Sequence, residues 1–145
     1  MLYFAYGSNM GSGQMAARCP ACRFRGTARL EGFRFVYDGY SVSRDGAVGN
    51  IVRSDAERVW GALYEITETD RLALDASEGY PRSYDRRDVE VTGAPGGPVR
   101  AMTYFRTGRA AGQPHPDYER TVLEGARERG LPDDYVDRYL RVPRV

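Results

Sequence analysis

Three short stretches of this chain gather residue types that can do chemistry. The first is Tyr3-Phe4-Ala5-Tyr6-Gly7-Ser8-Asn9. Gly7 lets a ligand approach the backbone closely, and successive N–H groups after a strand form a cradle for an anion. Ser8 and Asn9 add side-chain donors and acceptors. Such a loop suits a carboxylate or a developing oxyanion, although Gly-Ser-Asn taken alone is more often an ordinary turn. The second stretch is Asp75-Ala76-Ser77-Glu78-Gly79-Tyr80. Glu78 stands where a helix gives way to a turn, close to Tyr80 and Tyr84. A carboxylate projecting from that junction into an aromatic cleft would be desolvated and its pKa raised, as acid–base catalysis requires. A solvated glutamate at a helix end is the plainer local reading. The third is Pro116-Asp117-Tyr118, in which the Tyr118 hydroxyl reaches a ligand or its ring joins the core.

Other chemistry is sparse. All 21 basic residues are arginine. With no lysine the chain cannot form a Schiff base or a P-loop, so pyridoxal-phosphate chemistry and that nucleotide motif are excluded. The single histidine, His115, is all that a Ser-His-Asp or Cys-His hydrolase would have. Cys19 and Cys22 spell Cys-Pro-Ala-Cys without the second pair a structural zinc site needs, and the β-like Phe24-Arg25-Gly26-Thr27 follows where a redox motif would open a helix. Two free thiols are the favoured reading. Carboxylates are left as the acid–base groups, with no metal and no cofactor expected.

At 145 residues the chain suits one domain, 1–145, with a real core. A formal net charge of +1, with arginines scattered among acids, argues against a nucleic-acid or membrane-surface binder. Met1 runs straight into Leu2-Tyr3-Phe4-Ala5-Tyr6 without the pattern of a signal peptide, and no stretch approaches transmembrane length. A cytoplasmic protein is expected.

The elements that must position these residues follow from periodicity. Residues 2–6 read as a buried strand, and 14–18 as a short helix stopped by Pro20. Strand patterns cover 26–30, 33–37, 47–52 and 59–66; Asp38-Gly39 reads as a turn, and Gly61 as a bulge or a close backbone approach. Thr67-Glu68-Thr69-Asp70 is a capping-box start for a helix that Gly79 and Pro81 end. Strands over 84–92 and 99–106 flank a hairpin-type loop at 93–98. Tyr118, Val122, Leu123 and Ala126 make a helical stripe capped by Gly130, and Pro132 starts a last helix with Tyr135, Val136, Tyr139 and Leu140 inward. The pattern is α+β: a mostly antiparallel sheet, curled or closed into a small barrel, with flanking helices.

In this order the segments resemble the γ-glutamylcyclotransferase family. Tyr3-Phe4-Ala5-Tyr6-Gly7-Ser8-Asn9-Met10 looks like its amino-terminal signature. Gly26-Thr27-Ala28-Arg29-Leu30 with Phe33-Arg34-Phe35 is similar to the next strand pair, and Val59-Trp60-Gly61-Ala62-Leu63-Tyr64, Leu72, Leu74, Asp75, Glu78, Gly79 and Tyr84 to the central block. Pro116, Tyr118 and residues 125–132 resemble the helical tail. The resemblance implies a small closed barrel that releases 5-oxoproline from a γ-glutamyl amide. It implies that Glu78 is the proton acceptor, that Tyr3, Phe4, Ala5, Tyr6, Gly7 and Ser8 form the γ-glutamyl-binding loop, and that Tyr118 contacts substrate. Gly-Ser-Asn in place of Gly-Ser-Leu sets the chain apart from the glutathione-specific branch. The expected partner is a small γ-glutamyl amide, with no nucleic acid and no membrane; a homodimer is left open. Two rival readings stand beside this one: a pathway enzyme that removes a γ-glutamyl group from a biosynthetic amine, and a non-catalytic binding module on the same fold.

Overall fold

The structure, a computed structural model, describes residues 1–93 and 97–143. Five strands close a barrel in the order β1-β3-β2-β4-β5. They are β1 (Leu2–Ala5), β2 (Arg23–Ser41), β3 (Gly46–Glu65), β4 (Asp85–Gly93) and β5 (Pro98–Phe105). All neighbours run antiparallel except β1 and β5, which meet in parallel at Tyr3 and Met102. That seam closes the barrel, and the Thr103 hydroxyl adds a 2.8 Å bond to the Phe4 carbonyl across it. Phe4, Val59, Tyr64 and Val91 are fully buried within the core.

The strand patterns expected over 26–30 and 33–37 belong to one long strand, as do those over 47–52 and 59–66. Glycines account for the difference. Gly32 and Gly39 adopt left-handed φ values of 85° and 63° at irregularities where β2 shifts register against β3. They bend the strand without ending it. Asp38-Gly39 is therefore part of β2, and the chain turns at residues 42–45. Gly61 is the close approach its position suggested: a Cβ there would stand 2.5 Å from the Ala5 carbonyl oxygen. Of the expected loop at 93–98, residues 94–96 lie outside the described residues.

Four helices flank the barrel: α1 (Ser12–Arg18), α2 (Glu68–Glu78), α3 (Pro116–Arg129) and α4 (Asp133–Tyr135), the last continuing into a π-helical turn over Val136–Leu140. No helix among the described residues is long and apolar enough to cross a membrane. The expected capping box opens α2: Thr67 Oγ1 accepts from the Asp70 N–H, and Asp70 Oδ2 from the Thr67 N–H. His115 is the N-cap of α3, its Nδ1 accepting from the Asp117 N–H at 3.0 Å, which explains the lone histidine structurally. Cys19 is buried with its thiol 3.6 Å from the Asp70 carbonyl and pushed up to about 12 by burial; Cys22 is half-buried and also free.

A 3-10 turn, Ser8–Met10, links β1 to α1 and packs against α3. The approach is backbone on backbone: a Cβ on Gly125 would lie 2.8 Å from the Gly11 nitrogen. The Met10 carbonyl behind this turn accepts from the Tyr64 hydroxyl at 2.6 Å and from Arg129 Nε at 3.1 Å. We expect Gly125→Val to destabilise the fold by about 1–3 kcal/mol, the usual range for overpacking. It should also displace the turn, so kcat/KM per folded molecule falls while Gly130→Asn, at an open helix cap, leaves it unchanged; thermal melting and steady-state kinetics on both variants check this.

Candidate active site

The end of β1, the Ser8–Met10 turn, the C-terminus of α2 and the start of α3 meet at one cavity of about 340 Å³, mouth included. It is lined by Tyr3, Tyr6, Gly7, Ser8, Asn9, Gly49, Glu78, Tyr84, Tyr104 and Tyr118. Residues 75 positions apart in sequence, Tyr3 and Glu78, thus share one wall space.

Glu78 is the last residue of α2, and Gly79 ends the helix in the left-handed conformation at φ 70°. A carboxylate at a helix C-terminus meets the negative end of the macrodipole, so this placement does nothing for the helix itself. One turn earlier, Asp75 anchors the same face. It accepts from the Tyr104 hydroxyl at 2.6 Å and forms ion pairs with Arg71 and Arg86. Fully buried Leu74 fixes the helix to the core. Glu78 is held on a rigid element, and burial pushes its carboxyl above the ordinary range while Arg18, Arg106 and Arg44 pull it back.

The tyrosines surrounding Glu78 all have their hydroxyls pushed upward, in each case mainly by burial, and stay protonated at neutral pH. Their protons differ in direction. Tyr6 donates to the Tyr104 carbonyl at 2.7 Å, Tyr84 to the Gly49 carbonyl at 2.7 Å and Tyr104 to Asp75. Tyr3 instead accepts from Asn9 Nδ2 at 3.0 Å, and Tyr118 accepts from the Gly49 N–H at 3.0 Å. Two hydroxyls therefore keep a proton to give to the cavity's contents.

Gly7 faces the cavity with φ −122°, so the left-handed conformation that would demand glycine is not used there. What glycine supplies is space: a Cβ would point at the Tyr118 hydroxyl, 3.6 Å away. The first N–H groups of the Ser8–Met10 turn have no partner within the turn itself and can serve an anion.

The inner cavity opens into a wider cleft lined by Arg18, Arg44 and Arg106. Arg106 is buried and fully engaged. Its Nη2 donates to Asp38 Oδ1 at 2.9 Å and to the Asp38 carbonyl at 2.6 Å, while Asn50 bridges Asp38 Oδ2 and the Arg106 carbonyl, each at 2.8 Å. Its guanidinium lies 4.7 Å over the Tyr84 ring. Arg44, from the β2–β3 turn, lies 5.2 Å over Tyr118. Among the described residues, no three His, Cys, Asp or Glu side chains come together as a metal site.

Of the residues singled out in the sequence, Tyr3, Tyr6, Gly7, Ser8, Glu78 and Tyr118 converge on this cavity. Phe4 and Ala5 are buried in the barrel wall behind it and do not line it. Tyr80 is not part of the aromatic cleft; it stacks on Arg86 at 4.3 Å. Asn9 was legible as part of the loop, but its link to Glu78 was not. Tyr104, Gly49 and the three arginines come from segments with no local signal of a site, because only tertiary closure brings them there.

The model of the AIG2-like family matches residues 58–139. The human protein named γ-glutamylcyclotransferase is 30% identical over 142 residues, 94% of this chain and 76% of that one. Its mouse counterpart is 29% identical over the same share of each chain. A solved structure named γ-glutamyl cyclotransferase superposes with a TM-score of 0.92 at 28% identity, covering 99% of this chain and 88% of that one. With its closed five-stranded barrel and flanking helices, the chain belongs to the AIG2-like family and to the γ-glutamylcyclotransferase family of its relatives.

Proposed function

We propose that this protein is an enzyme that releases 5-oxoproline from a γ-glutamyl amide. One observation carries the reading: among the described residues Glu78 is the only carboxylate lining a cavity otherwise made of tyrosines, Gly49 and the Gly7–Asn9 turn. The substrate's α-amine attacks its own γ-carbonyl, so the protein needs no nucleophile. Folding the substrate back on itself within the cavity supplies proximity. Glu78 takes the proton of the attacking amine and returns it to the departing amine, and its raised pKa suits both steps. The turn at Ser8 holds an anionic group of the substrate, and the hydroxyls of Tyr3 and Tyr118 donate to oxygen atoms as charge develops on them. The arginine-lined mouth favours a departing amine that bears an acidic group over a cationic one. Two free thiols fit a reducing, cytoplasmic setting.

The test is a panel of γ-glutamyl amides with acidic, neutral and cationic departing amines, assayed for 5-oxoproline. Release from none of them overturns the reading.

Glu78→Gln should lower kcat by about 10²–10⁴-fold, the usual contribution of a positioned acid–base group, with substrate still bound. Near-normal kcat would remove Glu78 from the reaction.

The same variant should report the electrostatics of folding. The Glu78 pKa is raised in the folded state, so protonation favours folding. Its stability contribution is fully present below the unfolded-state value and is lost as pH rises through the folded one. Glu78→Gln should therefore melt higher than the parent at pH 7–8, with the difference vanishing toward pH 4. Equal melting temperatures throughout would mean that the carboxylate is solvated.

Gly7→Val should raise KM and lower kcat while leaving the melting temperature nearly unchanged, because its side chain enters the cavity beside Tyr118. Unchanged kinetics with lower stability would confine Gly7 to a role in the turn.

A further inference from the structure

Hydrogen bonds around Asn9 form a directed series. Arg44 Nη2 donates to Gln14 Oε1 at 2.9 Å, and Gln14 Nε2 donates to Asn9 Oδ1 at 2.8 Å and to Ser8 Oγ at 2.8 Å. Arg18 Nη1 donates to the same Asn9 oxygen at 2.8 Å. Asn9 Nδ2 then donates to Tyr3 and, at 3.4 Å, toward Glu78 Oε1. An amide can usually be turned over without changing its shape. Here it cannot, because a guanidinium only donates. Arg44 fixes which end of Gln14 accepts, and Arg18 with Gln14 fixes which end of Asn9 accepts. The NH₂ group of Asn9 is left facing the carboxylate. Gln14 and Arg18 stand one helical turn apart on α1, so a single helix face delivers both donors. A contact of 3.4 Å is long for a hydrogen bond, as such contacts often are before substrate binds.

We propose that Gln14 and Asn9 are positioning residues for Glu78, the last links of a one-way relay that starts at Arg44 in the β2–β3 turn and aims the carboxylate into the cavity. Reversal of the Asn9 amide would set its carbonyl oxygen against the carboxylate and disfavour the ionised form. Glu78 is also faced by Arg18 from α1, Arg44 from the turn, Arg106 beyond β5, Tyr3 and Tyr6 from β1, Tyr84 before β4, Tyr104 from β5 and Tyr118 from α3. None of these side chains is substituted when Gln14 is changed and Gln14 does not line the cavity, but the change releases Arg44 from its amide partner, so the Gln14 variant tests the amide relay and the seating of Arg44 at its head together. The consequence for turnover rests on Glu78 being the acid–base group.

The experiment compares the parent with Gln14→Met, which keeps length and charge but cannot relay, and with Asn9→Leu. Gln14 is half-buried near the surface, so its variant should fold even where Asn9→Leu does not. For Gln14→Met we expect kcat to fall about tenfold with KM within about twofold, and the acid limb of the kcat–pH profile to move up by roughly half a unit or more. Asn9→Leu should move both further in the same direction. The Glu78 carboxyl titration, followed by ¹³C NMR, should rise in step. Superimposable titrations and kcat–pH profiles, with only a lower melting temperature, would make both residues merely structural and overturn the relay. If the parent releases no 5-oxoproline, the proposed activity fails instead, and the NMR titration still decides the relay.

Discussion

Glu78 sits half-buried at the end of a helix among tyrosines, and a negative charge in that place loses part of its hydration. An isolated carboxylate moved out of water is strongly disfavoured, so it neutralises or finds compensation. Compensation here comes from Arg18, Arg44 and Arg106, which oppose the effect of burial on Glu78. The balance holds only because those cations are themselves fixed. Arg106 would be a second uncompensated charge without Asp38 and Asn50, which engage it on β2 and β3. Arg18 and Arg44 are held by neutral amides, so neither cancels against a carboxylate before reaching Glu78. One awkward carboxylate thus sets requirements on α1, on the β2–β3 turn and on the end of β5.

The hydroxyls give the cavity its second character. Three of its tyrosines direct their protons into the protein, while Tyr3 and Tyr118 accept and so have protons left for whatever enters. Burial keeps all five in the neutral form, which preserves those directions across ordinary pH. The arrangement costs no reorganisation when negative charge develops, which is the property that electrostatic stabilisation of a transition state needs.

How much of this was legible from sequence depends on range. The capping box at Thr67 and Asp70, the Gly79 and Gly130 stops and the amphipathic stripe of α3 are local signals, and each is present as read. The long hairpin reads as shorter strands because Asp38-Gly39 is identical in sequence to a turn; that Gly32 and Gly39 bend a continuous ladder is decided by the facing strand. The loop ending β1 and the glutamate ending α2 were both visible, and the resemblance joined them before any distance did. The resemblance places Phe4 and Ala5 with the site, whereas in the barrel both are buried and neither lines the cavity. Asn50, Tyr104 and Arg106 carried no mark at all: their roles exist only once β2, β3 and β5 meet.

The narrow seam between β1 and β5 has a consequence for how the molecule assembles. The β2–β3 hairpin joins neighbours in sequence and needs only a short loop to close. β1, by contrast, pairs with residues 62–65 and meets Met102, contacts of large sequence separation whose ordering entropy must be met before they stabilise anything. The Gly7–Asn9 loop hangs directly from that strand. The catalytic geometry is therefore not a local property of a loop that can form early or survive alone. It depends on pairing between segments distant in sequence, since β1 carries the loop and meets residues 62–65 and Met102.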